Sequence, residues 1–198
     1  MLSADEDSPA DMRSSDKVSC NISRKATRDI KPELMKIYNE AYENYPEYGA
    51  VNEKEIQSYF HYLEKVKPEG FLVATLQDEI LGFVVEDPNC FEQDEEAVGE
   101  VVELVVSPRA KGKGLGRKLL QLAVYILGQQ GCNKIYLEVG KDNMEAQNLY
   151  RKCGFGYIQQ EGEWFQMIKD ISEEPTFVTP EFKEITTVAE NKQGAEKT

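Results

Sequence analysis

The chain of 198 residues has one histidine, His61, and four cysteines, Cys20, Cys90, Cys132 and Cys153, with no C-x-x-C spacing. Zinc sites draw on clustered thiolates and imidazoles, so this scarcity speaks against a metal centre. Scattered thiols read as reduced cysteines of a cytoplasmic protein, not as a disulfide frame. His61 sits beside Tyr62 in a helical pattern and reads as a surface residue. No apolar run approaches the ~20 residues of a membrane span. The first residues lack the basic and apolar regions of a secretory leader. Positive charge is also in short supply: 23 Lys and Arg against 36 Asp and Glu, a net charge of −13. That field disfavours nucleic acid and anionic membrane and favours cationic partners. The acidic stretch 86–100 lacks the spaced ligands and glycine of a calcium loop and reads as a solvated loop.

One stretch runs against this acidity. Val101 to Val106 is apolar and β-branched and reads as a strand. Pro108 ends it, having no N–H for a ladder. A basic turn follows, Lys111-Gly112-Lys113-Gly114-Leu115-Gly116-Arg117-Lys118. A helix then opens, with apolar residues at 115, 119, 122 and 126 on one face. Glycines let backbone N–H groups approach a ligand, and a helix N-terminus attracts phosphate. A P-loop is excluded, because no lysine and hydroxyl follow Gly116. A dinucleotide fingerprint is also excluded, because the spacing is G-x-G-x-G.

The turn fits a third signature, [QR]-x-x-G-x-G/A after a V-x-P strand end, with Lys111 where Gln or Arg is usual. Downstream, Lys134 to Val139 reads as a strand. Asn143-Met144-Glu145-Ala146-Gln147-Asn148-Leu149-Tyr150 opens a short helix closed by Gly154. This matches N-x-x-A-x-x-L-Y-x-x-x-G-F. On these two motifs the chain resembles the GNAT superfamily of N-acetyltransferases. The nearest subgroup in motif is the ribosomal-protein alanine N-acetyltransferases.

Patterning along the chain reads as β-α-α-β-β-β-α-β-α-β-β. Val18 to Ala26 forms the first strand. A helix runs from Lys31, and a second is capped by Asn52 with a Val51–Ile56 staple. Gly70 to Leu76 and Ile80 to Val85 form a hairpin around Gln77-Asp78-Glu79. A final hairpin turns at Glu161-Gly162-Glu163. The resemblance implies an α/β (α+β) fold: a mixed, mostly antiparallel twisted sheet flanked by helices. Residues 1–17 and 171–198 read as disordered tails around one domain, 18–170. Tyr42, Tyr45, Tyr48, Tyr59 and Tyr62 read either as an acceptor-pocket wall or as packing between helices and sheet.

The resemblance also implies the chemistry. Acetyl-CoA would donate to a primary amine, small molecule or polypeptide, by direct attack in a ternary complex. Backbone groups of Leu104, Val105 and Val106 would hold the pantetheine and thioester. Lys111, Gly112, Lys113, Gly114, Leu115, Gly116 and Arg117 would cradle the pyrophosphate. Asn143 would hold the pantetheine region, and Tyr150 would protonate the departing thiolate. Cys153 is not needed as a nucleophile. Two bases are open. Glu138 lies twelve residues before Tyr150 in an L-E-V strand, as in that subgroup. Glu103 is the other, on the same strand face as Val101 and Val105 by alternation; a water relay could serve either. An acyl-CoA-binding regulator without turnover is the alternative function. The oligomeric state stays open and a homodimer is compatible with the sequence.

Overall fold

A computed structural model describes residues 20–50, 52–93 and 96–172. Both tails read as disordered lie outside that range, apart from residues 171 and 172, as does the proposed Val51 staple. The elements are β1 Asn21–Lys25, α1 Lys31–Tyr42, α2 Glu53–Val66, β2 Phe71–Leu76, β3 Glu79–Gln93 and β4 Glu96–Val106. They continue with α3 Leu115–Gln129, β5 Lys134–Gly140, α4 Met144–Lys152, β6 Gly156–Glu161 and β7 Trp164–Asp170. This is the expected order. The strands form one sheet, β1-β2-β3-β4-β5-β7-β6. Among the described strands, β4 and β5 run parallel and the other neighbours antiparallel.

Local chemistry accounts for the element ends. Pro32 sits in the first turn of α1, where its missing N–H costs nothing. Asn52 caps α2: its Oδ1 accepts from the Glu55 amide at 3.0 Å, and its Nδ2 donates to Glu55 Oε1 at 2.6 Å. Gln77 and Asp78 take positive φ values of 48° and 67°, as a tight hairpin requires.

Over β2 to β4 the sheet is covered on both faces. Leu119, Leu120, Ala123 and Leu127 of α3 pack one face against Leu72, Val84, Val101, Ile135 and Leu137. Leu34 and Ile37 of α1, with Ile56, Phe60 and Leu63 of α2, pack the other against Phe71, Val73, Phe83 and Val105. Phe60, Phe71 and Phe83 form a ring cluster with centroids 5.9–6.4 Å apart. Each such side chain contributes about 1.5–3 kcal/mol by burial.

Two irregularities position the site. Val85 pairs with Glu103 and Glu86 with Val101, so Val102 has no opposite residue and forms a bulge. The bulge breaks the expected alternation. Val101 joins the α3 side, whereas Val102 and Val105 pack on the α1–α2 side and Glu103 meets tyrosines of α1 and α2 there. Glu103 therefore shares a face with Val105 but not with Val101. The second irregularity is a splay. The β4–β5 pairing covers only Val98–Lys134 to Glu100–Tyr136, and beyond it the strands part.

Within 86–100 the described residues are strand, not loop: β3 runs to Gln93 and β4 starts at Glu96, with register shifts after Val85 and Asp87, while residues 94 and 95 of the expected loop lie outside the described residues. Glu86 is fully buried, held by the Arg24 guanidinium and by Lys67 Nζ at 3.3 Å. Its charge serves the fold, not the solvent.

Candidate active site

A cleft of about 810 Å³ occupies the splay and opens to both sheet faces. On the α3 side it reaches the glycine turn. Gly112 and Gly114 adopt φ values of 73° and 77°, and a Cβ built on either would meet nothing within 4 Å. The turn thus presents bare backbone to open space. The first N–H groups of α3 begin at its end, with partial positive charge. Lys111 and Arg117 line the same end, Lys111 paired with Glu145 of α4 at 3.1 Å. Lys152 of α4 lines the cleft as well. A diphosphate group fits this set of donors. Lys113 is exposed and does not line the cleft, unlike every other residue expected of the turn.

Leu104, Val105 and Val106 line the middle of the cleft, along the edge of β4 that β5 leaves unpaired. An extended amide-bearing chain fits such an edge, because its own N–H and C=O groups can complete the ladder. Asn143 lines the cleft and caps α4, its Oδ1 accepting from the Ala146 amide at 3.1 Å.

Glu103 lies at the bulge and is only 6% exposed. Its Oε1 accepts from Tyr42 Oη at 3.1 Å and from the Leu104 amide at 3.1 Å. Its Oε2 accepts from Tyr59 Oη at 2.9 Å. Among the described residues no cation pairs with it. Burial pushes its carboxyl up to about 7, against the pull of these three donors. Tyr150, on α4, is buried and lines the cleft. Burial first, then the Glu103 charge, hold its phenol well above the usual range. One cleft thus holds a carboxyl that burial pushes up to about 7 and a phenol held well above its usual range.

Glu138 also lines the cleft, but it is exposed. Leu137 and Val139 belong to the α3 side, so Glu138 points to the α1–α2 side, as Glu103 does. It accepts from Tyr136 Oη at 2.5 Å and Gln166 Nε2 at 3.1 Å. Of the two candidate bases, Glu103 is the carboxyl buried in an apolar strand, and Glu138 is exposed. Cys153 is half-buried, and burial pushes its thiol up against the pull of Arg117. This does not favour a thiolate nucleophile.

The α1–α2 connection crosses the cleft mouth, a contact the sequence did not signal. Tyr48 Oη donates to Asp142 Oδ2 at 3.1 Å and accepts from the Asp142 amide at 3.2 Å. Its ring lies on Gly140, where a Cβ would come within 2.5 Å of it. Trp164 meets Tyr48 edge-on at 5.2 Å and forms the rim. Only the absence of a side chain at 140 permits this approach. Of the five tyrosines weighed as pocket wall or packing, Tyr42, Tyr45, Tyr48 and Tyr59 line the cleft, whereas Tyr62 is half exposed and does not. Tyr38, Tyr42, Tyr48 and Tyr59 all line the cleft, and each spends its hydroxyl on an internal hydrogen bond. His61 is exposed, as expected.

Comparison with known proteins gives the family and the fold. The acetyltransferase (GNAT) family matches residues 31–155. An uncharacterized N-acetyltransferase of Methanocaldococcus jannaschii is 30% identical over 149 residues, 75% of this chain and 66% of that protein. A mycothiol acetyltransferase of Nocardia farcinica is 33% identical over 131 residues, of which this chain spans 41% of the relative's length. The crystal structure of PH1933 from Pyrococcus horikoshii is 36% identical, with a TM-score of 0.68, covering 76% of this chain and 98% of that one. The fold is also that of a PaiA N-acetyltransferase from Thermoplasma acidophilum solved with coenzyme A, at 22% identity and a TM-score of 0.60, over 77% of this chain and 99% of that one. The chain belongs to the GNAT family of acetyltransferases, whose members take the acetyl group from acetyl-CoA.

Proposed function

We propose that the protein is an N-acetyltransferase that passes the acetyl group of acetyl-CoA to a primary amine entering from the α1–α2 side. The observation that carries this reading is that a buried carboxyl, Glu103, and a buried phenol, Tyr150, line one cleft at the opening in the sheet. The α3 turn, Lys111 and Arg117 would hold the diphosphate, and the free edge of Leu104 to Val106 would hold the amide-bearing arm. Bound acetyl-CoA supplies a thioester whose carbonyl carbon takes the amine's lone pair and whose sulfur leaves with the C–S electron pair. Glu103 takes the proton that the amine sheds. Tyr150 gives its phenol proton to the departing sulfur. These transfers leave a neutral Glu103 and a Tyr150 phenolate, which proton exchange through solvent resets. Glu138, exposed on the same face, is better suited to attract a cationic amine than to bind its proton in a dry site.

Charge also limits the acceptor. The cleft's cations, Lys111, Arg117 and Lys152, belong to the α3 turn and α4. The α1–α2 side presents Tyr45, Tyr48, Trp164, Glu100 and Glu138. Among the described residues that line the cleft, this side offers no cation to an acceptor carboxylate. The reading is an amine without a carboxylate beside the reacting nitrogen, such as a polyamine, an aminoglycoside, or the side chain or N-terminus of a polypeptide.

The test is thiol release from acetyl-CoA across such amines, with free amino acids as the contrast. Saturable release with the former and little with the latter is expected. Tyr150→Phe should lower kcat by about 10²-fold or more while leaving acetyl-CoA binding intact. Binding of acetyl-CoA with no acceptor-dependent release from any amine would favour a binding protein without turnover.

A further inference from the structure

We propose that Tyr42 and Tyr59 are positioning residues for this reaction: their phenols hold the Glu103 carboxylate at the bulge and set the pH at which it can accept the amine's proton. The inference rests on Glu103 acting as the base.

The geometry comes from two helices converging on one side chain. Tyr42 is the last residue of α1, and Tyr59 lies in the second turn of α2. The bulge at Val102 turns Glu103 toward both. The two phenols divide the carboxylate between them, Tyr42 on Oε1 at 3.1 Å and Tyr59 on Oε2 at 2.9 Å. The rings are fixed in turn. Tyr38 stands 4.5 Å from Tyr42 and 5.5 Å from Tyr59, centroid to centroid. The Tyr38 ring is itself fixed, its hydroxyl oxygen accepting from the Ala50 amide at 3.0 Å.

The groups facing Glu103 are few. They are Tyr38 and Tyr42 from α1, Tyr59 from α2, the Leu104 amide from β4, and Tyr150 from α4. None is a cation, so no strong charge fixes Glu103 as a carboxylate. Burial opposes ionisation and the phenols favour it. Both phenols are pushed above their usual range, Tyr42 and Tyr59 alike by burial and then by Glu103, so they remain donors throughout the working pH range. Removing one donor must shift Glu103 further toward its neutral form. A hydrogen bond to a charged group corresponds to a shift of about one pH unit.

The experiment compares wild type, Tyr42→Phe, Tyr59→Phe and the double variant. Phenylalanine keeps each ring and removes only the donor, and thermal unfolding checks that the variants fold. The first measurement is the pH profile of kcat/KM with an active acceptor. The acidic limb should move up by about one unit in each single variant and further in the double. The rate should fall about tenfold below pH 7 and recover at high pH. A purely packing role would lower the rate equally at all pH values and leave the limb in place, and that would overturn the proposal. The second measurement needs no acetyl-CoA. Carbon-13 spectra of glutamate-labelled protein, with Glu103 assigned by its loss in Glu103→Gln, should show its titration midpoint move up in the Tyr variants. An unmoved midpoint overturns the proposal. If the midpoint moves but Glu103→Gln retains full turnover, Glu103 is not the base, and both the base reading and the catalytic part of this proposal fail while the structural pairing stands.

Discussion

Glu86 and Glu103 lie one step apart across the β3–β4 ladder, both buried in apolar strands, yet their surroundings are opposite. Glu86 is enclosed by cations. Arg24 from β1 and Lys67 from the end of α2 both reach its Oε1, and Lys67 also meets Glu69 at 3.1 Å. Glu103 is enclosed by neutral donors, two phenols and one amide. Strong opposite charge compensates a buried carboxylate's lost hydration and ties it to the fold. Phenols compensate only part of that loss and leave the carboxyl near 7. Two buried glutamates thus differ only in their partners, one fastened by cations and the other, on the proposed reading, left to exchange a proton.

The largest expected effects separate the two roles. Glu103→Gln should cut kcat by about 10²- to 10⁴-fold, the usual contribution of a general base, with the protein still folded. Glu86→Gln should do the reverse. It leaves Lys67, itself 2% exposed, without its buried counter-charge, a change that costs about 3–5 kcal/mol. Turnover per folded molecule should change little. Kinetics with chemical denaturation of both variants checks the contrast. Equal loss of turnover in both would mean that Glu86 also touches the chemistry.

A smaller effect follows from the pH dependence of stability. Glu103 has a folded value of about 7, against an ordinary unfolded value near ~4.3. Below the unfolded value both states hold the proton and nothing is lost. Between the two values the native state keeps a proton that the unfolded chain has released, so native stability falls as pH rises through this window. Above about 7 the full cost is present, on the order of 3 kcal/mol. Glu103→Gln, which stays neutral, should therefore stabilise the protein at pH 8 and have little effect at pH 4.5. Thermal or denaturant unfolding of both proteins at the two pH values tests the sign. A stabilisation that does not change with pH would mean that Glu103 keeps its proton throughout.

The legible part of this contrast was local. The α3 stripe, the Lys111 to Arg117 turn, the Asn52 cap and the Gln77-Asp78 hairpin depend on residues within a few positions of one another. They appear where the pattern put them. Glu103 and Tyr150 were also found as candidates, through the motifs beside them. The partners were not legible. Arg24 to Glu86 spans 62 residues, Tyr42 to Glu103 61, and Tyr48 to Asp142 94. No local spacing encodes such contacts. The bulge was hidden because Val101 and Val102 look like two ordinary strand residues; only the register against β3 shows the extra one. The acidic stretch misled for a related reason. Its polar residues conceal strands whose stability comes from pairing with each other, not from an apolar alternation.

Helix α2 serves both glutamates, and this gives the finest test. Tyr59 extends from its second turn to Glu103, and Lys67 caps its C-terminus and reaches Glu86. If α2 is held as a rod by Ile56, Phe60 and Leu63, loosening its N-terminus should weaken the helix without moving either partner. Asn52→Ala removes the hydrogen bond to the Glu55 amide and should cost about 1 kcal/mol. The fraying ends within the first turn, because Ile56 is already buried. The Glu103 titration should therefore stay within a few tenths of a unit of wild type, well short of the shift expected for Tyr59→Phe. A shift as large as that of Tyr59→Phe would show that the apolar face does not hold α2, and that the phenol's hold on Glu103 depends on the cap two turns away.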